Sequence, residues 1–86
     1  MDRYLVESPH TAQDCEQTIK QVAAMGYILH YDWGCKSGVH KGWAVIESDS
    51  DTEALMTVPP FVRHNAKATK IDRYSLDDFR DLHKEK

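Results

Sequence analysis

Residues 30–43, with the sequence HYDWGCKSGVHKGW, decide the fold of this 86-residue chain. The segment contains three of the four glycines, both tryptophans, one of the two cysteines and two of the five histidines. Aromatic and branched runs on either side of a short glycine-rich segment are typical of an antiparallel hairpin. We therefore predict paired strands at residues 27–33 and 43–48, with the functional site in the segment that joins them.

Capping and turn signals place the remaining elements on both sides of this hairpin. Thr11, Ser50 and Ser75 each precede an acidic residue at the third following position. This spacing is that of a capping box, and it predicts three helices. Two more strands are predicted at residues 3–7 and 66–74. The inner edge of the last helix is predicted to be formed by Leu76, Phe79 and Leu82.

The order β-α-β-β-α-β, followed by a short helix, predicts one α+β domain over residues 1–86 with a ferredoxin-like fold and a four-stranded antiparallel sheet. Large apolar side chains occur on both sides of the hairpin strands, so we expect neither sheet face to suit water and predict a homodimer. The strand Trp43-Ala-Val-Ile-Glu47, the Ser-capped helix after it and the segment Val58-Pro-Pro-Phe-Val62 resemble the dimeric α+β barrel superfamily, which includes muconolactone isomerase. The resemblance covers nearly the whole chain. It implies this fold and dimerisation, and it aligns no catalytic residue of a characterised member.

The composition limits the classes of binding partner and the cellular compartment that we expect for this chain. The net charge is −3 and the basic residues are scattered, so the sequence predicts no basic surface that would bind nucleic acid or an anionic membrane. Residues 41–46 partly resemble the third strand of RNA-recognition domains, but Val45 stands where that motif needs its second base-stacking ring. No apolar run approaches the roughly 20 residues of a membrane span, and no signal peptide begins the chain. We therefore expect a cytoplasmic protein whose cysteines remain thiols.

Histidine and cysteine side chains are predicted to gather at one end of the sheet. The end of the first strand, the hairpin loop and the start of the fourth strand share an edge in this topology. Imidazole and thiolate are the ligands that zinc, nickel and copper favour, and a carboxylate completes such sets. The sharpest version combines Cys35 and His40 with His30 or Asp32, although the spacing matches no zinc finger. The predicted ligands of a divalent transition metal are His10, Cys35, His40 and His64.

A second interpretation is a small-molecule site in the interior of a dimeric barrel. His30 and Asp32 are two residues apart on a predicted strand, so they project from one face. An imidazole and a carboxylate suit acid–base chemistry, as in a small isomerase-like or monooxygenase-like enzyme. Tyr31, Trp33 and Trp43 would supply the apolar walls that small-ligand sites usually have.

A purely structural or regulatory role is the alternative to both interpretations. Cys15 falls on one helix stripe with Ile19 and Val22, which predicts a small core residue rather than a ligand. His10 and His64 would then be exposed loop residues. The aromatic side chains would pack within a dimer interface.

Overall fold

The structure, a computed structural model, describes the backbone of residues 1–84 and the side chains of residues 1–80. The strands are β1 (Asp2–Pro9), β2 (Tyr31–Trp33), β3 (Lys41–Ser48) and β4 (Lys67–Ile71). The helices are α1 (Cys15–Ala24), α2 (Asp51–Leu55), α3 (Pro60–Arg63) and α4 (Leu76–Lys84). Two 3₁₀ helices cover Ile28–His30 and Cys35–Ser37. The prediction of an α+β chain is confirmed.

The strands form one antiparallel sheet in the order β2-β3-β1-β4. β1 and β3 are the central pair and stay in register from Asp2 opposite Ser48 to Pro9 opposite Lys41. All three residues of β2 pair with the first part of β3. The predicted antiparallel hairpin and the predicted four-stranded antiparallel sheet are therefore both confirmed.

One face of this sheet carries the core. Tyr4, Val6 and Ser8 of β1 are buried, and the residues between them are half-buried. This alternation follows from the two-residue period of a strand. Because residues of α1, α2 and α3 belong to the same cluster, these helices pack on that face. The cluster is completed by Val22, Tyr31, Ala44, Ala54, Val58 and Val62.

The opposite face, here called the open face, carries both apolar and charged side chains. Val45 on β3 is 44% exposed, and its neighbours Leu5 and Trp43 are half-buried. Strand alternation and register place charged side chains on the same face. These charged residues include Arg3, Glu7, Asp32, Glu47 and Lys67. The expectation that neither face suits water stays a prediction, since the open face carries apolar side chains among charged ones.

β2 is shorter than the predicted strand at residues 27–33. The N–H of Tyr27 donates to the carbonyl of Val22 at 3.0 Å, and the N–H of His30 donates to the carbonyl of Tyr27 at 2.9 Å. These bonds form a turn that leads out of α1 after Gly26, whose φ of 90° suits glycine. Aromatic and branched residues fit a strand by composition, but here tertiary context overrides that preference. Leu29 is accordingly 96% exposed.

α2 and α4 begin where the capping signals predict, whereas α1 begins at Cys15, after an Asp14 N-cap without a side-chain hydrogen bond, and not directly after Thr11. Ser75 Oγ accepts the N–H of Asp78 at 3.1 Å, and the Asp78 carboxylate accepts the N–H of Ser75 at 3.0 Å. Ser50 Oγ accepts the N–H of Glu53 at 3.1 Å in the same way. Leu82, predicted on the inner edge of α4, lies outside the side chains described. Within residues 1–84 no helix has the length and apolar character needed to cross a membrane.

Candidate metal centre

Four side chains converge at the end of the sheet where β1 ends and β3 begins. This group, called the His/Cys group below, consists of His10, Cys15, Cys35 and His40. Each residue offers one ligand atom, an imidazole nitrogen or a sulfur, and the four atoms all lie within 4.8 Å of one another. All four residues are half-buried. The group is therefore shielded from bulk water but not sealed inside the core.

The sheet itself brings the two histidines together. His10 follows the last residue of β1, and His40 precedes the first residue of β3. The N–H of His10 donates to the carbonyl of His40 at 3.0 Å, which extends the β1–β3 pairing beyond the strands. The ring centroids lie 6.1 Å apart with an interplanar angle of 61°. Backbone pairing thus sets the distance between the two imidazoles.

The hairpin loop positions Cys35 by folding back on itself. The N–H of Gly34 donates to the carbonyl of Lys41, and the carbonyl of Gly34 accepts the N–H of Val39, both at 3.0 Å. A Cβ atom on Gly34 would lie 2.7 Å from the carbonyl oxygen of Val39, so this closure requires glycine. Gly38 ends the 3₁₀ turn that starts at Cys35 and has a left-handed φ of 82°. Two glycines therefore determine where the Cys35 thiol lies.

Cys15 joins the group from the first turn of α1. The helix buries Thr18 and Val22, whereas Cys15 is only half-buried. Its sulfur lies with the other three ligand atoms instead of among the core side chains. The prediction that Cys15 is a core residue is therefore corrected, because the buried stripe of α1 begins one turn after its N-terminus.

The hydrogen bonds of His10 direct the lone pair of one ring nitrogen toward Cys35. Nδ1 lies 3.3 Å from the carbonyl oxygen of Ser8, which only accepts, so Nδ1 carries the proton and Nε2 carries the lone pair. Nε2 lies 3.2 Å from Sγ of Cys35. Burial lowers the pKa of His10, partly offset by the bond to Ser8. Burial thus favours the neutral imidazole, which is the form that binds metals, and the bond to Ser8 orients the ring.

His40 contains a polar atom that the described part of the chain does not satisfy. Its Nδ1 is buried and has no hydrogen-bond partner there. Leaving such an atom unpaired costs on the order of 1–3 kcal/mol. A metal cation is one partner that the lone pair of a buried imidazole nitrogen can bind.

The two thiols are free and adjacent. Burial, together with the neighbouring thiol of Cys15, raises the pKa of Cys35 from its usual 9.0 to about 11. Without a cation Cys35 is therefore protonated at neutral pH. A bound metal ion reverses this preference, because it stabilises the thiolate directly.

The structure brings together three of the four predicted metal ligands. His10, Cys35 and His40 belong to the His/Cys group, and His64 does not. His64 caps the C-terminus of α3 and is exposed. The strand that follows it, β4, pairs with β1 on the side away from β3, so His64 leads into the sheet edge opposite the hairpin that carries Cys35 and His40.

The two residues of the predicted acid–base pair do not lie on one strand. His30 ends a 3₁₀ helix before β2, so strand alternation does not place it on one face with Asp32. Both residues are exposed, and the ring of His30 lies 6.1 Å from that of Tyr27. His30 lines a surface cavity of about 390 Å³, whereas Asp32 lines a different one of about 310 Å³. The shared-face geometry that motivated this pair is therefore corrected.

The three aromatic residues predicted to frame a pocket lie on two faces. Tyr31 and Trp33 are on the helix-covered face with their rings stacked at 5.3 Å, and Trp43 is on the open face. The hydroxyl of Tyr31 bonds to Thr57 in the core. The ring of Trp33 lies 6.1 Å from that of His10. Trp33 therefore borders the His/Cys group. Trp43 lies on the other face of the sheet and does not form a pocket with Tyr31 and Trp33.

The sequence signal for the His/Cys group is its mirrored spacing. Four residues separate His10 from Cys15, nineteen separate Cys15 from Cys35, and four separate Cys35 from His40. The helix stripe around Cys15 hides this pattern when the sequence is interpreted by periodicity. No family model matches the chain, and no curated protein or solved structure is similar to it at a significant level.

Proposed function

We propose that this protein binds one zinc ion through His10, Cys15, Cys35 and His40. The observation that carries the proposal is the convergence of four ligand atoms within 4.8 Å of one another. The ion joins the end of β1, the start of α1, the hairpin loop and the start of β3. Its role is structural, because four protein ligands fill a tetrahedral shell and leave no position for a substrate.

The spacing of the ligand atoms supports a tetrahedral site. Bond lengths of about 2.3 Å to sulfur and about 2.0–2.1 Å to nitrogen place the ligands of a zinc ion roughly 3.3–3.8 Å apart. Nε2 of His10 and Sγ of Cys35 are already 3.2 Å apart. The widest pair lies within 4.8 Å, so closing the site needs movements of about 1 Å. Side-chain rotation supplies movements of that size without a change in the sheet.

The donor set favours zinc over nickel and copper. Two thiolates and two imidazoles in a tetrahedral arrangement are typical of structural zinc, whereas nickel and copper(II) prefer tetragonal nitrogen and oxygen sites. The bond from His10 Nδ1 to the Ser8 carbonyl is the outer-shell contact that orients metal-bound imidazoles. The unpaired Nδ1 of His40 gives the site a further reason to accept a cation.

A structural ion also suits a chain of this size. An 86-residue domain buries a modest share of its surface, so its core alone leaves a small margin of stability. Binding energy at a site formed only in the folded chain adds to the free energy of unfolding. The ion would act at the hairpin loop and at the first turn of α1, where a core contributes least.

Metal uptake by untagged, reduced protein tests the proposal. We expect one zinc per chain by elemental analysis, and cobalt substitution should produce the thiolate-to-metal absorption of a tetrahedral site. Zinc at 100 times its Kd should add about 2.7 kcal/mol to the free energy of unfolding. For a domain of this length that corresponds to a rise in Tm of at least roughly 10 °C.

Histidines outside the group supply matched controls. His64→Gln and His30→Gln should keep zinc binding, because both imidazoles are exposed and lie outside the His/Cys group. No zinc uptake by the wild-type chain, or an equal loss of binding in His64→Gln, contradicts the proposal. Tight binding should be lost in each of His10→Gln, Cys15→Ser, Cys35→Ser and His40→Gln.

We also propose that the domain is ferredoxin-like and pairs with a second copy through its open face. The chain order of strands and helices, together with the sheet order β2-β3-β1-β4, supports the first part. The apolar side chains of Leu5, Trp43 and Val45 on the open face support the second part.

A further inference from the structure

We infer that the zinc site is a redox switch, in which a hydroperoxide oxidises Cys15 and Cys35 to a disulfide and the metal is expelled. This inference rests on the proposed zinc site and adds its regulation. It is carried by the proximity of the two sulfurs, by a cavity that reaches one of them and by the ligands that remain after oxidation.

The two sulfur atoms are close enough to react with each other. Sγ of Cys15 and Sγ of Cys35 lie within 4.8 Å, and both residues are free. A disulfide bond is about 2.05 Å long, so the sulfurs must approach by at most roughly 2.8 Å. Cys15 is in the first turn of a helix and Cys35 is in a loop, where small adjustments cost least. Since the chain has two cysteines, each has a single intramolecular partner.

A surface cavity of about 310 Å³ opens beside Cys35. Cys35 is the one member of the His/Cys group that lines it, so a small molecule entering this cavity meets a thiolate first. A hydroperoxide has few heavy atoms and fits such a space. The lining residues are Ile19, Tyr31, Asp32, Trp33, Cys35 and Lys36.

The oxidation proceeds in two balanced steps. The Cys35 thiolate attacks the terminal oxygen of the hydroperoxide, the O–O bond breaks, and Cys35 becomes a sulfenic acid while the alkoxide takes up a proton and leaves as an alcohol. The Cys15 thiolate then attacks the Cys35 sulfur, the S–O bond breaks, and hydroxide takes up a proton and leaves as water. Two thiolates lose two electrons, the hydroperoxide gains them, and two protons are consumed.

The disulfide removes half of the ligand set. A disulfide sulfur carries no thiolate charge, and the thiolate is the form of cysteine that binds metals. His10 and His40 remain as two neutral ligands, which do not complete the shell that zinc requires. Reduction by an external thiol restores both thiolates and with them the site.

The experiment uses the full, reduced chain loaded with zinc and then treated with hydrogen peroxide. A chromogenic chelator measures released zinc, while thiol titration and intact mass measure disulfide formation. We expect one zinc released per disulfide formed, and recovery of zinc binding after reduction with dithiothreitol. His64→Gln is the matched control, because His64 is exposed and lies outside the His/Cys group, so it should release zinc and form the disulfide as the wild type does. Should that variant fail to fold, the ratio of zinc released to disulfide formed in the wild type alone tests the switch.

Failure of the two proposals is distinguishable. A reduced wild-type chain that takes up no zinc overturns the proposed function and the switch together. A chain that binds zinc but keeps it under peroxide overturns the switch alone. Release of zinc without a Cys15–Cys35 disulfide, or a disulfide formed while zinc stays bound, also overturns the switch alone.

Discussion

The two imidazoles of the His/Cys group are satisfied in different ways. Nδ1 of His10 bonds to the Ser8 carbonyl, whereas Nδ1 of His40 is buried without a partner among the described residues. His10 is therefore oriented by a hydrogen bond within the protein, whereas no hydrogen bond among the described residues orients the His40 ring through Nδ1. Zinc binding should accordingly order the His40 ring more than the His10 ring.

The metal-free chain should tolerate the loss of His40 better than the loss of His10. His40→Leu removes an unpaired buried nitrogen, so we expect the free energy of unfolding without zinc to be unchanged or higher by about 1 kcal/mol. His10→Leu removes the hydrogen bond to the Ser8 carbonyl and should lower the free energy of unfolding by about 1 kcal/mol. Urea unfolding in the presence of a chelator measures both. Equal destabilisation by the two changes would contradict the assignment of partners.

The stability of the metal-free chain should fall at alkaline pH because of Cys35. Its pKa is about 11 in the folded chain against 9.0 ordinarily, so above pH 9 the unfolded chain releases a proton that the folded chain retains. Unfolding therefore becomes more favourable between about pH 9 and about pH 11, and the contribution is fully present below pH 9.

Cys35→Ser isolates this effect, because serine does not titrate in that range. As the pH rises from 8 to 10.5, the free energy of unfolding of the wild type should fall relative to that of Cys35→Ser. Tyr31, whose pKa is also raised by burial, is present in both chains and cancels. Parallel pH profiles for the two proteins would rule out a retained thiol proton.

Tyr31→Phe should cost stability without affecting zinc. The hydroxyl of Thr57 donates to the carbonyl of Ala54 at 2.9 Å, so the hydroxyl of Tyr31 must donate to Thr57, also at 2.9 Å. Removing that donor leaves a buried acceptor under-satisfied, and we expect a loss of about 1 kcal/mol. Thermal unfolding with and without zinc should show the same shift in both conditions. A change in zinc affinity would place Tyr31 nearer the metal than its hydrogen bonds indicate.

At the scale of the elements, the hairpin loop depends on two glycines for different reasons. A Cβ on Gly34 would lie 2.7 Å from the Val39 carbonyl oxygen and 3.0 Å from the ring of Trp43. A Cβ on Gly38 would meet nothing within 4 Å, and only its φ of 82° opposes a side chain. Gly34 is thus required by contact and Gly38 by backbone conformation.

Gly34→Ala should damage the metal site, and Gly38→Asn should not. The alanine methyl group must displace the loop, at a cost of roughly 1–3 kcal/mol, and Cys35 moves with the loop. Asparagine tolerates the left-handed conformation, so Gly38→Asn should be nearly neutral. Zinc titration and thermal unfolding of both variants make the comparison. Equal zinc affinity in the two variants would mean that the loop adapts around the Gly34 methyl group.

The order of the elements was predictable because its signals are local. Ser50 and Ser75 cap helices through hydrogen bonds to the third following residue, and such spacing is visible in the sequence. The short length of β2 was not predictable, because residues 27–30 have the composition of a strand. They form a turn and a 3₁₀ helix instead, through hydrogen bonds to the end of α1 and within the turn. The His/Cys group was partly predictable, since topology brings His10 and His40 to one edge of the sheet.

At the scale of the whole molecule, errors in the candidate site came from neighbours that the sequence does not reveal. His64 shares an end of the sheet with the group, but β1 lies between β4 and β3. Cys15 has the periodicity of a core residue, but its helix reaches the core only from Thr18 onward. Both distinctions depend on which elements are adjacent across the sheet.

Dimerisation through the open face stays a prediction with a direct test. Val45 lies at the centre of that face and is 44% exposed, so Val45→Asp should convert a dimer to monomers. Met56→Asp is the matched control, because Met56 is 55% exposed at the end of α2, which packs on the other face of the sheet. Light scattering coupled to size-exclusion chromatography measures the mass. A monomeric wild type would contradict the prediction.

The bond between His10 and His40 has one more consequence. It continues the pairing that sets Pro9 opposite Lys41, so the two imidazoles meet only when β1 and β3 are aligned without an offset. A slip by a single residue shifts one strand by about 3.3 Å and turns its side chains to the other face. Zinc would then find no complete shell. The proposed zinc ion would therefore stabilise only those molecules whose central strands are correctly paired.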